Sequence, residues 1–253
     1  MNRQHSPWII AHRGARDQAP ENTLSALRQA LQYAIDGVEF DVQMSRDGVT
    51  VIFHDRTLQK VGGGRRRICD VTAVDLAGID WGNWFHRRFA GEPLPTLDKA
   101  LSLIDRCPNM CIEIKIHPGD HASGHADRLT EKTIARINQT DVRRYKDRIL
   151  ILSFDAEVLQ KAHAMDPEPR YVLNLPEASP EKVFTAPTGH LWAVDVHISA
   201  LTPSLVQWAR KQSLRVLTYT CNGSRQVKKA IAANVDGIIT DRPQWLARHL
   251  GRS

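Results

Sequence analysis

The sequence predicts an α/β chain folded as a (β/α)8 TIM barrel, with a β-hairpin and a small insertion between the second and third barrel units. Three observations predict it. Short apolar, β-branched runs alternate with longer amphipathic stretches from end to end, the pattern of a parallel sheet wrapped by helices. The strand candidates number nine, and one of them is accounted for as the return arm of a hairpin, which leaves the eight that a closed barrel needs. The chain has 253 residues, close to the size of about 250 at which such barrels form one unit.

Taken in order, the strand candidates are Trp8–Ala11, Val38–Met44, Val51–Phe53, Cys111–Ile116, Ile149–Ser153, Tyr171–Leu173, Ala193–Val196, Val216–Thr220 and Gly237–Thr240. The clearest helix is Thr23–Ile35, with Leu24, Leu27, Leu31 and Ala34 on one stripe and Asn22 placed to cap it. Leu97–Ile104, Ala126–Ile137, Glu157–Ala164, Pro203–Lys211 and Arg225–Ala233 repeat the three-and-four spacing. Only Ser45-Arg46-Asp47-Gly48 separates the second and third strand candidates, and Asp-Gly is a strong hairpin signal. With Asp47-Gly48 as a two-residue loop, Arg46 pairs with Val49 and His54 falls opposite Asp41. A doubly wound open sheet is the alternative, but no Gly-x-Gly-x-x-Gly follows a strand to support a dinucleotide fold.

Residues from about 56 to 95 break the alternation. They hold Gly62-Gly63-Gly64, three consecutive arginines and the aromatic group Trp81, Trp84, Phe85 and Phe89. About 40 residues make a poor core alone, so this stretch is expected to be an insertion in one domain spanning residues 1–253, its aromatics packing it onto the barrel. The Gly62–Arg67 run is expected to be a flexible turn.

Composition sets further limits. With 42% hydrophobic and 25% charged residues the chain is an ordinary globular one, which excludes disorder, collagen-like repeats and a disulfide scaffold. The formal net charge of +6 suits an anionic small-molecule substrate, and the scattered basic residues do not form the stripe of a nucleic-acid binder. The four cysteines, Cys69, Cys107, Cys111 and Cys221, fit no CxxC or zinc pattern and are expected to be free thiols. No secretory leader and no membrane span is legible, so a cytoplasmic setting is expected.

Active sites of such barrels lie at the C-terminal ends of the strands, and four of these ends carry ionisable groups. The first is His12-Arg13-Gly14; the second carries Glu39 and Asp41; the hairpin return ends in His54-Asp55; the next strand carries Glu113 and Lys115. Residues two apart share a face. Glu39 and Asp41 alternate with Val38, Phe40 and Val42, and Glu113 and Lys115 with Ile112, Ile114 and Ile116. The apolar partners face the helices, so the charges point into the barrel, where unpaired carboxylates are costly. Three inward carboxylates call for a cation, and oxygen ligands suit Mg²⁺ or Ca²⁺. That combination suggests metal-assisted phosphoryl chemistry. His117, His121 and His125 are expected to be solvated loop residues near the mouth.

These residues fall into a known order and spacing. His12-Arg13-Gly14, Pro20-Glu21-Asn22-Thr23, Gly37-Val38-Glu39-Phe40-Asp41-Val42, Asp47-Gly48, His54-Asp55, Glu113-Ile114-Lys115, Ser153-Phe154 and Asp236-Gly237-Ile238-Ile239-Thr240-Asp241 together resemble the glycerophosphodiester phosphodiesterase family over nearly the whole chain. The resemblance implies a barrel that hydrolyses glycerophosphodiesters to glycerol 3-phosphate and an alcohol with a divalent metal, Mg²⁺ or Ca²⁺, with Mn²⁺ a third candidate. It implies Glu39, Asp41 and Glu113 as metal ligands, His12 and His54 as the acid–base pair, and Arg13 and Lys115 as phosphate holders. Two departures stand out. The family's usual Trp-Thr-Val-Asn reads Tyr219-Thr220-Cys221-Asn222, which makes Tyr219 a substrate-pocket residue of altered size, and Lys60-Val61-Gly62-Gly63-Gly64 replaces the usual Thr-Thr-Asn-Gly. Two other functions are open to the same residues: lysophospholipase D-like hydrolysis of lysophospholipids, and a non-catalytic phosphate-ligand barrel.

Overall fold

Nine strands form one sheet in the computed structural model, which describes residues 6–176 and 188–252. They are β1 (Trp8–Ala11), β2 (Gly37–Met44), β3 (Thr50–Ile52), β4 (Met110–Ile114), β5 (Ile149–Ser153), β6 (Arg170–Leu175), β7 (Ala193–His197), β8 (Arg215–Tyr219) and β9 (Gly237–Thr240). Their order is β1-β9-β8-β7-β6-β5-β4-β2-β3, and a parallel β1–β2 pairing closes eight of them into a barrel. β3 alone is antiparallel and extends the far end of β2. All nine strands lie where the β-branched runs put them.

The helices are α1 (Leu24–Ala30), α2 (Ala73–Ala77), α3 (Leu97–Leu101), α4 (His125–Ile137), α5 (Thr140–Arg143), α6 (Ala156–Met165), α7 (Pro203–Lys211), α8 (Ser224–Ala232) and α9 (Pro243–His249). Thr23, not Asn22, caps α1: its Oγ1 accepts the Ala26 N–H at 3.2 Å. Asn22 adopts a left-handed φ of 58° and turns its side chain to the barrel interior instead. The sequence pattern also missed α9, whose Leu246 and Ala247 are buried. Its signal was Pro243 at the first turn, where a missing N–H costs nothing.

Apolar residues sit in three groups. The largest lies between sheet and helices and includes Ile9, Val38, Phe40, Ile112, Ile151 and Val216. A second fills the barrel with Ile10, Cys111, Leu150, Leu152, Val172, Ala193, Leu217 and Ile239. The third joins Val51 and Phe53 to Leu58, Val61, Ile68, Val71, Leu76, Trp81 and Leu94. Of the four aromatics expected to pack residues 56–95 down, Trp81 does so, edge-on to Phe53 at 5.4 Å. Trp84 is 36% exposed, with the Lys60 ammonium 5.3 Å from its ring centre.

The hairpin register differs from the expected one by a residue. Val42 faces Ile52, Gln43 faces Val51 and Met44 faces Thr50, and the Phe53 N–H reaches the Asp41 carbonyl at 3.0 Å. Phe53 therefore takes the place expected for His54. The loop has three residues: Ser45 N–H bonds the Val49 carbonyl at 2.9 Å, and Gly48 closes the turn with a φ of 84°. A three-residue loop ending in a left-handed glycine is as natural a hairpin as the two-residue one, and Asp-Gly serves both. His54 still reaches the cavity because the chain leaves the ladder after Phe53. There the Gln43 side-chain amide holds the carbonyls of Phe53 at 2.7 Å and Asp55 at 3.0 Å.

Candidate active site

The apolar plug of the barrel ends at a layer of acids. Glu39 and Asp41 on β2 and Glu113 on β4 point inward, as strand alternation requires, with Asp41 beside Glu113 in the parallel register. They are 2%, 1% and 8% exposed, and one oxygen from each lies within 4.8 Å of the other two. Two cations share the layer. Lys115 Nζ stands 2.6 Å from Glu113 Oε1 and 3.3 Å from Asp41 Oδ1, and Arg13 Nε stands 3.2 Å from Asp41 Oδ2. Asn22 clasps Asp41 from two sides, donating to Oδ2 at 2.8 Å and accepting its N–H at 3.1 Å.

The three acids are electrostatically unequal. Burial alone would raise Asp41, but Lys115, Arg13 and His54 outweigh it and hold the carboxyl far below the usual range. Burial, followed by the charges of Asp41 and Glu113, pushes Glu39 well above its ordinary value. Glu113 is raised by burial against the pull of Lys115. Glu39 Oε2 accepts the Arg13 backbone N–H at 2.9 Å, while its buried Oε1 has no hydrogen-bond partner. An orphaned carboxylate oxygen on a side chain grouped with two other acids is what a hard divalent cation would satisfy. The residues present therefore fit a metal.

The turn after β1 places His12 and Arg13. Gly14 adopts a φ of 81°, and a Cβ there would lie 2.5 Å from the Ala26 backbone, so only glycine lets β1 turn this closely onto α1. His12 Nδ1 is 2.6 Å from Asp241 Oδ1, beyond the end of β9, and its Nε2 is 4.0 Å from Glu39 Oε2. Asp241 is itself fixed by Asn222, which donates to Oδ2 at 2.7 Å and accepts the Asp241 N–H at 2.8 Å. Burial lowers the His12 imidazole despite the opposing Asp241 bond. His54 is backed by Asp55, Nδ1 to Oδ1 at 2.9 Å, and Asp55 Oδ2 is held by Lys60 at 3.0 Å. Glu21 ties the cationic side together, reaching Arg13 at 3.2 Å, Arg16 at 2.7 Å and Lys60 at 2.8 Å.

His12, Arg13, Glu39, His54, Glu113, Lys115 and Tyr219 all line one cavity, and Asp41 is paired with two of them, Arg13 and Lys115. Tyr219 donates its hydroxyl to the Leu175 carbonyl at 2.9 Å and turns its ring to Phe154 and His197. Sequence reasoning gave no site role to Glu21, Asn222 or Asp241 and read Asn22 only as a helix cap, although all four lie in the motifs that carry the family resemblance or its departures. It passed over Asn174 and Asp195, which also line the cavity, although each interrupts an apolar strand as Glu39 does. His121 pairs with Asp155 at 2.6 Å beside the mouth, and His125 begins α4 instead of lying in the loop. Among the described residues the three acids are the one group of three or more side chains placed to hold a metal.

A parallel barrel whose mouth gathers acids, imidazoles, an arginine and a lysine around one gap defines a phosphate-handling enzyme. The glycerophosphoryl diester phosphodiesterase family model matches residues 12–245. The glycerophosphodiester phosphodiesterase of Caldanaerobacter subterraneus is 31% identical over 243 residues, covering 94% of this chain and 95% of that protein. One from Bacillus subtilis is 26% identical, over 92% of this chain and 83% of that protein. An Oleispira antarctica phosphodiesterase, solved with its product sn-glycerol-3-phosphate, is 28% identical, with a TM-score of 0.85 over 97% of each chain. The chain belongs to the glycerophosphoryl diester phosphodiesterase family and is a phosphoric diester hydrolase.

Proposed function

We propose that the protein hydrolyses small, deacylated glycerophosphodiesters to glycerol 3-phosphate and an alcohol, with a divalent ion held by Glu39, Asp41 and Glu113. Charge balance carries this reading. The three acids exceed Arg13 and Lys115 by one negative charge, a divalent ion reverses the sign, and a phosphodiester monoanion brings the site to neutrality. Bound there, Mg²⁺, Ca²⁺ or Mn²⁺ would act as a Lewis acid on a phosphoryl oxygen.

The side chains account for the remaining steps. Arg13 and Lys115 hold the phosphoryl oxygens as negative charge grows on them. One of His12 and His54 takes the proton from the attacking hydroxyl, and the other donates to the departing alkoxide. Asp241 and Asp55 each accept from the Nδ1 of one imidazole, leaving both Nε2 atoms free for proton transfer.

The cavity favours a small substrate over a lysophospholipid. It offers about 210 Å³, below the range of roughly 300–1,000 Å³ for drug-sized ligands. The groove that continues past Lys115 has a mixed wall, with His117, His121 and Asp155 set among Ile116, Pro118 and Phe154, and so offers no continuous apolar channel for an acyl chain. We read residues 1–253 as one barrel domain with an insertion at about 56–95. A reducing, cytoplasmic setting suits the free thiols of Cys69, Cys107, Cys111 and Cys221; among the described residues no helix is long and apolar enough to cross a membrane.

The test is a turnover screen over choline, ethanolamine, glycerol and inositol diesters with Mg²⁺, Ca²⁺ or Mn²⁺, following release of glycerol 3-phosphate. Turnover that EDTA abolishes and added metal restores is expected. Full-rate hydrolysis by chelated protein refutes the metal assignment, and cleavage of lysophospholipids in preference to all four diesters refutes the substrate class.

A further inference from the structure

We propose that Asp195 is a positioning residue: through a carboxyl O–H it holds the side-chain carbonyl of Asn174, and so keeps the Asn174 amide on Glu113. Asn174 on β6 and Asp195 on β7 are neighbours in the parallel register. Both point into the barrel, line the cavity and are 3% and 2% exposed. Asn174 Nδ2 donates to Glu113 Oε2 at 3.2 Å. Asn174 Oδ1 and Asp195 Oδ1 are both buried without a hydrogen-bond partner.

Two bare acceptors on neighbouring strand positions over an apolar plug are costly, because each has lost water and neither has gained a donor. An ionised Asp195 offers acceptors only and adds a further negative charge to a layer already rich in acids. A single proton on Asp195 removes both faults: it supplies the donor that Asn174 Oδ1 lacks and cancels the charge. Burial, and after it the Glu113 charge, push the Asp195 carboxyl well up from its ordinary value.

The consequence reaches the metal layer. Glu113 has Oε1 on Lys115 at 2.6 Å and Oε2 on Asn174, so the plane of the Asn174 amide decides where Oε2 points. Fixing the Asn174 carbonyl from β7 fixes that plane. Partners one step removed from a ligand typically matter by about 10- to 100-fold in metal affinity.

The inference rests on the proposed metal reading for its effect, but not for the proton itself, and the experiment separates the two. Mn²⁺ binding to the whole chain is measured by titration calorimetry for wild type, Asp195→Asn, Asp195→Leu, Asn174→Leu and the Asp195→Leu/Asn174→Leu double variant. Asp195→Asn keeps an N–H donor and should bind within about threefold of wild type, while Asp195→Leu should lose about tenfold. Asn174→Leu should lose as much, and the double variant no more, since both cut one chain of contacts. Infrared spectra of metal-loaded protein at neutral pH should show a protonated-carboxyl C=O band in wild type that vanishes in Asp195→Asn. Wild-type Mn²⁺ affinity in Asp195→Leu, equal losses in Asp195→Asn and Asp195→Leu, or no such band overturns the proposal. If Asp195→Leu does not fold, the contrast of Asp195→Asn with Asn174→Leu, together with the band, decides. If wild type binds no Mn²⁺, the metal reading fails, and the band alone decides whether Asp195 carries the proton.

Discussion

Replacing Asp241 with asparagine removes a charge while keeping nearly the same shape, and its effect can be sized from the contacts of His12. The Nδ1–Oδ1 separation is 2.6 Å, and the two side chains are 14% and 25% exposed. A hydrogen bond to a charged group is worth about 1.5–3 kcal/mol. Asp241 also faces Arg16 at 3.5 Å and Asn222 at 2.7 Å, so its charge is shared and the lower half of that range applies. A loss of about 1.5–2 kcal/mol from a step in which His12 carries positive charge lowers kcat by about 10- to 30-fold. The pH profile should move as well. Asp241 raises the His12 imidazole through both the hydrogen bond and its charge, whereas burial and Arg13 lower it. Removing the raising partner leaves the lowering causes, so the limb of the profile set by His12 shifts to lower pH, whichever proton transfer it serves. Steady-state release of glycerol 3-phosphate across pH measures both. A kcat within threefold of wild type together with an unmoved limb would refute the role given to this pair.

Three further outcomes are expected. His12→Ala and His54→Ala should each lower turnover by about 10²-fold or more with the thermal transition preserved; near-normal turnover in either removes that residue from the mechanism. Glu39→Gln should weaken Mn²⁺ binding in calorimetry while leaving the metal-free protein at least as stable as wild type. Asp41→Asn should weaken binding and also destabilise the metal-free protein by about 3–5 kcal/mol in denaturant titration, as breaking a buried ion pair does. Glu21 is depressed because Arg13, Lys60 and Arg16 outweigh its burial. The stability this gives is present above the ordinary value of 4.5 and is lost as pH falls through the lower folded value. Glu21→Gln should therefore flatten the acid side of the stability curve, and an unchanged acid side would count against the Glu21 network.

The barrel was legible because its signal is local. Each strand is a β-branched run, and nothing distant is needed to recognise Ile149–Ser153 or Gly237–Thr240. The acids were legible for a related reason: Glu39 and Asp41 in an apolar run have only one way to face. The same logic applied to Asn174 and Asp195, but Asn174 falls one residue beyond the expected strand Tyr171–Leu173, and Asp195 stands alone in the expected strand Ala193–Val196, which stops short of His197. The hairpin register was not legible, since loops of two and three residues both accept Asp-Gly and the choice shifts every pairing by one. The backing of His12 was illegible in principle. It joins residues 229 apart in sequence, and only the closure of β1 against β9 brings them together.

The contrast expected between Glu39 and Asp41 follows from how the layer divides its work. Asp41 is surrounded by Lys115, Arg13 and Asn22, so it is already neutralised and holds two cations in place. Removing its charge strands those cations in a buried setting, which costs more than the pair itself contributes. Glu39 receives the Arg13 backbone N–H and some help from the Arg13 charge, but burial and the charges of Asp41 and Glu113 outweigh both. Its ionised form is therefore a liability to the fold until something positive arrives in the gap it shares with Asp41 and Glu113. A barrel interior built for stability alone would place a leucine there. An acid so poorly compensated, grouped with Asp41 and Glu113, is what the proposed metal role accounts for and what folding alone does not.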